Sequence, residues 1–220
     1  MWFMVQGKSA PERKNNYPKF FNDNRSIKVG LMGGSFNPAH KGHLFIASTA
    51  LKKLNLDEIW WLLTPRNPLK DPVELKSIND RSKQTKKIAL HPKFRVLNLE
   101  NYFQTSSTFN FLKLLLPRCP NMKIVWIMGA DNLSQFHKWN SPHQIAKLIP
   151  FAVFSRPKYF YNSINSKGAK ILGTKVSNNK LINLVNLKPP VWSFIDEGRY
   201  NISSTNLRTK ENKNYFTLKT

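Results

Sequence analysis

Two histidines lie three residues apart in the stretch GGSFNPAHKGH, Gly33–His43, which directly follows the apolar run Ile27–Met32. An apolar run, paired glycines and then an apolar-periodic segment, Leu44–Leu54, predict a strand, a tight turn and a helix. Residues three apart share one face of a helix, so His40 and His43 can direct both imidazoles at one point beside the helix start. The N–H groups and partial positive charge of a helix N-terminus favour phosphate, and adjacent glycines let a ligand approach the backbone closely. The stretch therefore predicts a binding site for a phosphate chain.

A second run of this kind lies near the other end of the chain, in NISSTNLR, Asn201–Arg208. Ser203 or Ser204 can cap a short helix, and Arg208 follows Ser204 by one turn. A helix start rich in hydroxyl groups and followed by a cation is typical of phosphate binding.

Between these runs, short apolar stretches alternate with amphipathic segments, which predicts a single α/β domain with a Rossmann-like, doubly wound parallel sheet. The predicted strands are 27–32, 58–63, 94–99, 123–129, 151–156 and 191–196, and the predicted helices are 43–54, 79–90, 108–116 and 140–149. Ligands of such sheets bind at the carboxyl ends of the strands, near the switch in strand order. That rule places the loops 33–43, 64–70, 106–108, 129–131 and 155–156 on one rim.

Two segments lack this alternation of apolar runs and amphipathic segments. Residues 1–26 are polar and rich in Asn, Lys and Pro, and we expect a poorly ordered extension before a domain over 27–220. Residues 157–188 are rich in Lys and Asn and only weakly periodic, which predicts a surface excursion that is partly mobile.

Composition narrows the class of protein. The net charge is +23, but Lys supplies 26 of the 35 basic residues and Asn occupies 24 positions, so the charge indicates a coding bias rather than a nucleic-acid surface. The one cysteine, Cys119, has no partner for an internal disulfide. The sequence has neither a run of 18 apolar residues nor a secretory start, which predicts a cytoplasmic protein without membrane association.

The first run resembles the HxGH loop of the nucleotidyltransferase superfamily, and its full form, GG-[ST]-F-[DN]-P-x-H-x-G-H, is similar to that of bacterial nicotinate-mononucleotide adenylyltransferases. The run from Asn201 resembles the ISSTxxR element of the same superfamily. The resemblance implies adenylyl transfer from ATP to nicotinate mononucleotide, which gives nicotinate adenine dinucleotide and pyrophosphate in NAD biosynthesis. It implies that His40, His43 and Arg208 are catalytic and that Mg²⁺ arrives with ATP, without protein ligands. The implied ATP-binding residues are Gly33, Gly34, Ser35, Phe36, His40, His43, Lys70, Ser203, Ser204 and Arg208.

The resemblance extends to the acceptor side. TPRNPLK, SST, GADNLSQFHKW and SRP resemble loops that hold the mononucleotide in relatives. The implied residues are Asn67, Ser107, Thr108, Asp131, Trp139 and Arg156, with Ser107 standing where many relatives carry Tyr. Trp139 is expected to stack on the pyridine ring, although a place in the core is the alternative interpretation.

Two other functions stay open at this point. The first is an adenylyltransferase that prefers nicotinamide mononucleotide or phosphopantetheine. The second belongs to another class, a non-catalytic module that binds nucleotides or RNA through its positive charge, against which the intact histidine pair argues.

Overall fold

The computed structural model describes residues 26–64, 75–155 and 160–196. Within them, seven strands form one sheet in the order β3-β2-β1-β4-β5-β7-β6, and every neighbouring pair is parallel. The strands are β1 (Lys28–Gly34), β2 (Glu58–Leu63), β3 (Phe94–Leu97), β4 (Lys123–Gly129), β5 (Phe151–Phe154), β6 (Thr174–Val176) and β7 (Val191–Ile195). The chain runs outward from β1 to β3 on one side and from β4 to β5 on the other, where β6 forms the edge and β7 lies between β5 and β6. The strand order reverses between β1 and β4.

Helices connect most of these strands. They are α1 (Lys41–Lys53), α2 (Ile78–Ile88), α3 (Leu99–Tyr102), α4 (Thr108–Leu115), α5 (Ala130–Gln135), α6 (Pro142–Leu148), α7 (Phe160–Ile164) and α8 (Lys167–Ile171). Short 3₁₀ helices occupy Leu116–Arg118 and Phe136–Lys138, and a longer one occupies Asn178–Asn186. Across the described ranges, no helix has the length and apolar character needed to cross a membrane.

The core lies on both faces of the sheet. Trp126 and Met128 of β4 join a cluster with apolar residues of α4, α5, α6 and α8, whereas Val125 and Ile127 join a cluster with α1 and the 3₁₀ helix Asn178–Asn186. Successive strand residues point to opposite faces, so a strand that is apolar throughout needs cover on both sides. The prediction of a Rossmann-like, doubly wound parallel sheet is confirmed.

The interpretation of 157–188 as a surface excursion is wrong for the part that is described. Residues 160–188 contain α7, α8, β6 and the long 3₁₀ helix, and β6 pairs with β7 to extend the sheet. Leu181, Leu184 and Val185 of the 3₁₀ helix are buried in the core. The segment is weakly periodic because its α-helices have five residues each and its 3₁₀ helix repeats every three residues rather than every 3.6. The extension predicted for 1–26 lies outside the described residues apart from Ser26.

Predicted boundaries are close to the observed ones, and the deviations have local causes. Helix α2 begins at Ile78, and its N-cap is Ser77, whose hydroxyl accepts a hydrogen bond from the Asp80 N–H at 3.1 Å. Strand β3 ends at Leu97, two residues earlier than predicted, because the chain turns there into α3. Ser107 caps α4 and accepts a hydrogen bond from the Asn110 N–H at 3.4 Å.

Candidate active site

The loop that carries the two histidines lies where the strand order reverses. Because all seven strands are parallel, their carboxyl ends meet at one edge of the sheet. The segment 35–40 follows β1 at this edge, and Ala130 follows β4 beside it. These are the two strands that flank the switch point, which is where open α/β sheets bind their ligands.

His40 and His43 share the start of α1, as their spacing predicts. His40 is the N-cap, and its Nδ1 accepts a hydrogen bond from the Gly42 N–H at 3.1 Å. His43 Nδ1 accepts one from the His40 N–H at 3.3 Å. The centroids of the two imidazole rings are 3.9 Å apart, with 34° between the ring planes. The two side chains therefore form one unit with the first turn of the helix.

These two bonds determine which ring nitrogen carries the proton. A nitrogen that accepts a hydrogen bond carries no proton itself, so each neutral ring is protonated at Nε2. Each imidazole therefore has an Nε2–H to donate. The N–H groups of His40 and Gly42 are already bonded to the rings, so these two backbone donors are not available to a phosphate, and phosphate binding by the helix start stays a prediction. Lys41, between them, is exposed to solvent.

Two aromatic side chains, Phe36 and Trp61, pack beside His43. The Phe36 ring packs edge-on against His43 with 5.1 Å between centroids, and the Trp61 ring lies 5.3 Å from Phe36. Phe36 has φ of 43°, a left-handed conformation that a non-glycine residue adopts at some cost. Burial of its ring, which is 2% exposed, offsets that cost. The binding of ATP by Ser35 and Phe36 stays a prediction.

Packing inside the protein explains why glycine occupies positions 33 and 34, a reason that the sequence did not reveal. A Cβ on Gly33 would lie 2.9 Å from Cζ2 of Trp126, and a Cβ on Gly34 would lie 3.1 Å from Cζ of Phe36. Aromatic rings of the chain itself therefore occupy the space that side chains would fill. The close approach of ATP to Gly33 and Gly34 stays a prediction.

Trp139 packs against Trp126, the residue whose ring lies beside Gly33. Its ring packs edge-on against Trp126 at 6.1 Å and against Phe136 at 5.2 Å between centroids, and it is only partly buried. Both interpretations of Trp139, core residue and stacking platform, fit this position.

The remaining predicted residues of both substrate sites divide between described and undescribed parts of the chain. Asp131 lies in the first turn of α5, directly after β4, while Ser107 and Thr108 form the start of α4. The residues predicted at Asn67, Lys70, Arg156, Ser203, Ser204 and Arg208 lie outside the described residues.

Arg81 is a buried residue of this rim that sequence reasoning missed. It is 2% exposed, and its Nη1 donates to the backbone carbonyls of Ser35 at 2.7 Å and Thr64 at 2.9 Å, which directly follow β1 and β2. Its Nε donates to the Lys76 carbonyl at 3.0 Å, and burial lowers the pKa of the guanidinium. The sequence does contain a signal for this burial. Arg81 lies at helical spacing from Ile78, Thr85 and Ile88, on the one face of a segment that is otherwise rich in lysine.

Glu100 is a second buried polar residue near the rim. It lies in α3, just beyond the end of β3, and is 1% exposed. Burial raises the pKa of its carboxyl to about 8, so the side chain is mostly neutral at pH 7. Its Oε2 atom has no hydrogen-bond partner within 26–64, 75–155 and 160–196. Within those same ranges, no group of three or more His, Cys, Asp or Glu side chains could hold a metal ion.

A doubly wound parallel sheet with a histidine pair at the helix start beside its switch point is typical of nucleotide-binding proteins. The model of the cytidylyltransferase-like family matches residues 31–210, which is most of the chain. The chain therefore belongs to the cytidylyltransferase-like family.

Close relatives narrow this class. A Rhizobium johnstonii protein named "probable nicotinate-nucleotide adenylyltransferase" is 40% identical over 185 residues, which cover 84% of this chain and 93% of the relative. A Brucella suis protein of the same name is 39% identical over 183 residues, covering 83% and 94%. Within the larger family, the chain is a member of the nicotinate-nucleotide adenylyltransferases.

Solved structures support the fold. The Plasmodium falciparum nicotinic acid mononucleotide adenylyltransferase complexed with NaAD superposes with a TM-score of 0.63 at 18% identity, covering 83% of each chain. The same enzyme complexed with APC superposes with a TM-score of 0.61 at 17% identity.

Proposed function

We propose that this protein transfers the adenylyl group of ATP to nicotinate mononucleotide, forming nicotinate adenine dinucleotide and pyrophosphate. The observation that carries the proposal is the histidine pair at the start of α1, in which both Nδ1 atoms accept hydrogen bonds from the backbone, so that each neutral ring carries its proton on Nε2. Membership of the nicotinate-nucleotide adenylyltransferases supports the choice of substrates.

The reaction requires no protein nucleophile. An oxygen of the mononucleotide 5′-phosphate attacks the α-phosphorus of ATP, and the bond from that phosphorus to the oxygen bridging to the β-phosphorus breaks. Pyrophosphate leaves with the electron pair of that bond. Catalysis of this kind depends on alignment of the reactants and on donors aimed at the charge that develops.

The side chains divide between the two substrates. His40 and His43 donate from Nε2 to phosphate oxygens of ATP, and the 3.9 Å between their ring centroids keeps the two imidazoles side by side. On the same side we place Gly33, Gly34, Ser35, Phe36, Lys70, Ser203, Ser204 and Arg208. On the mononucleotide side we place Asn67, Ser107, Thr108, Asp131, Trp139 and Arg156. ATP enters as its Mg²⁺ complex, in which the ion is held by phosphate oxygens and water.

The start of α4 is our candidate for recognition of the nicotinate carboxylate. Ser107 and Thr108 form the first turn of an eight-residue helix, and the N-terminus of a helix favours an anion. Nicotinamide mononucleotide has a neutral amide at that position, so this helix start would favour the acid.

The test is pyrophosphate release from ATP and Mg²⁺ with nicotinate mononucleotide or nicotinamide mononucleotide as acceptor. We expect kcat/KM for the acid to exceed that for the amide by at least about tenfold, which corresponds to roughly 1.4 kcal/mol. Equal use of both acceptors would contradict the assignment of nicotinate mononucleotide as the preferred acceptor, but adenylyl transfer would still be the reaction. No release with either, together with RNA binding that falls steeply as salt rises, would favour the non-catalytic module.

A further inference from the structure

Arg81 connects the ends of two neighbouring strands through one nitrogen atom. The last paired residues of β1 and β2 are Gly34 and Leu63, and the Thr64 N–H donates to the Gly34 carbonyl at 3.1 Å. Among the described residues, which stop at Thr64 on this side, the ladder of the two strands ends there. Nη1 of Arg81 joins the carbonyls of Ser35 and Thr64. The guanidinium therefore continues the connection between the strands by one residue.

The same arginine also bonds to the segment that leads into its own helix. Nε donates to the Lys76 carbonyl, just before the N-cap of α2. A planar guanidinium with donors in set directions can bond three carbonyls in different segments at once. An ammonium group on a flexible stem has no such geometry, so lysine is a poor substitute here.

The Ser35 carbonyl lies close along the chain to the catalytic histidines. Ser35 precedes Phe36, whose left-handed backbone and buried ring set the path of the turn. That ring contacts His43 at 5.1 Å, and His43 in turn contacts His40. Ser35 and the two imidazoles are therefore connected by a continuous chain of contacts through Phe36.

We propose that Arg81 is a positioning residue for adenylyl transfer, which holds Ser35 against Thr64 and thereby sets the orientation of the His40–His43 pair. The inference rests on the proposed function, because it assigns Arg81 an effect on the step that those histidines promote. Arg81 itself is buried and touches neither substrate in this account.

The test begins with Arg81→Lys and Arg81→Met, and the same two substitutions at Arg95, a more exposed arginine, serve as controls for the change of side chain. Arg95 lies on β3 and pairs with Glu58, the first residue of β2, at the opposite end of the strands from the candidate site. We expect Arg81→Lys to lower kcat by about 10- to 100-fold, the usual effect of misplacing a catalytic group by about 1 Å. We expect KM for ATP to change by less than about threefold. The Arg95 variants should retain kcat, since they lose only the side-chain ion pair with Glu58 at the far end of the strands.

A double-mutant cycle with His43→Ala distinguishes positioning from a general loss of stability. If Arg81 acts through the histidine pair, Arg81→Lys should cost about tenfold or more in the wild-type background and less than about threefold in the His43→Ala background. Equal costs in both backgrounds, or an unchanged kcat in Arg81→Lys, would overturn the inference. The parent protein serves as the reference for the function itself: absence of pyrophosphate release from the unmodified chain would contradict the proposed function, whatever the variants do.

Discussion

Replacing His43 by alanine removes two features at once, which a second substitution can separate. Its Nδ1 caps the backbone N–H of His40 at 3.3 Å, and its Nε2–H is the donor that we assign to ATP. His43→Asn keeps an acceptor near the position of Nδ1, but its amide nitrogen stops short of the position of Nε2. The alanine variant therefore loses cap and donor, and the asparagine variant loses the donor alone.

Loss of the donor lowers kcat, whereas loss of the cap lowers the free energy of unfolding. Removal of one donor that is pre-organised towards developing charge costs about 10²- to 10³-fold in kcat, roughly 2.7–4 kcal/mol. The cap bond is long and partly buried, so its loss costs about 1 kcal/mol of the free energy of unfolding at most. In a chain of this size that corresponds to a fall in Tm of about 2–4 °C. We therefore expect a similar fall in kcat for both variants and a lower Tm for alanine only.

The assay is steady-state pyrophosphate release, paired with thermal unfolding of each variant. His91→Ala is the matched control, because His91 Nδ1 accepts a hydrogen bond from the Lys93 N–H at 3.1 Å, and His91 precedes β3 at the opposite edge of the sheet. It should lose a hydrogen bond to the backbone without losing activity. Turnover of either His43 variant within about tenfold of wild type would remove His43 from the mechanism.

The remaining predictions concern three other side chains. Trp139→Ala should raise KM for nicotinate mononucleotide by about 10- to 100-fold, the usual value of stacking on an aromatic side chain, and KM for ATP by much less; equal effects in both would favour the core interpretation. Because the carboxyl of Glu100 has a pKa of about 8 when folded and about 4.5 when unfolded, the unfolding free energy should fall as pH rises through that interval. In denaturant titrations from pH 5 to pH 9, Glu100→Gln should reduce that fall, and parallel curves for wild type and variant would contradict the pKa. Burial raises the pKa of the Cys119 thiol to about 11, so a thiol reagent at pH 8 should label it only on unfolding; rapid labelling of the native protein would contradict its burial.

Local patterns in the sequence were sufficient for the fold class and for the centre of the site. Alternating apolar runs and amphipathic segments predicted the parallel sheet, and the spacing of His40 and His43 predicted that both side chains share the start of α1. Both features depend on neighbours within a few residues, which is the range over which helix and strand periodicity is set. The segment 160–188 was misread because five-residue helices and a 3₁₀ helix carry little of that periodicity.

Contacts between distant parts of the chain decided the rest. Arg81 bonds to carbonyls 46 and 17 residues away, so its role cannot be read from α2 alone. The space above Gly33 is filled by Trp126, a residue of a neighbouring strand, and the neutral state of Glu100 follows from burial. The sequence by itself determined which segments are strands and helices and which two imidazoles meet. Only the tertiary structure decided which buried groups hold those imidazoles in place, because burial and backbone carbonyl positions arise when distant segments pack together.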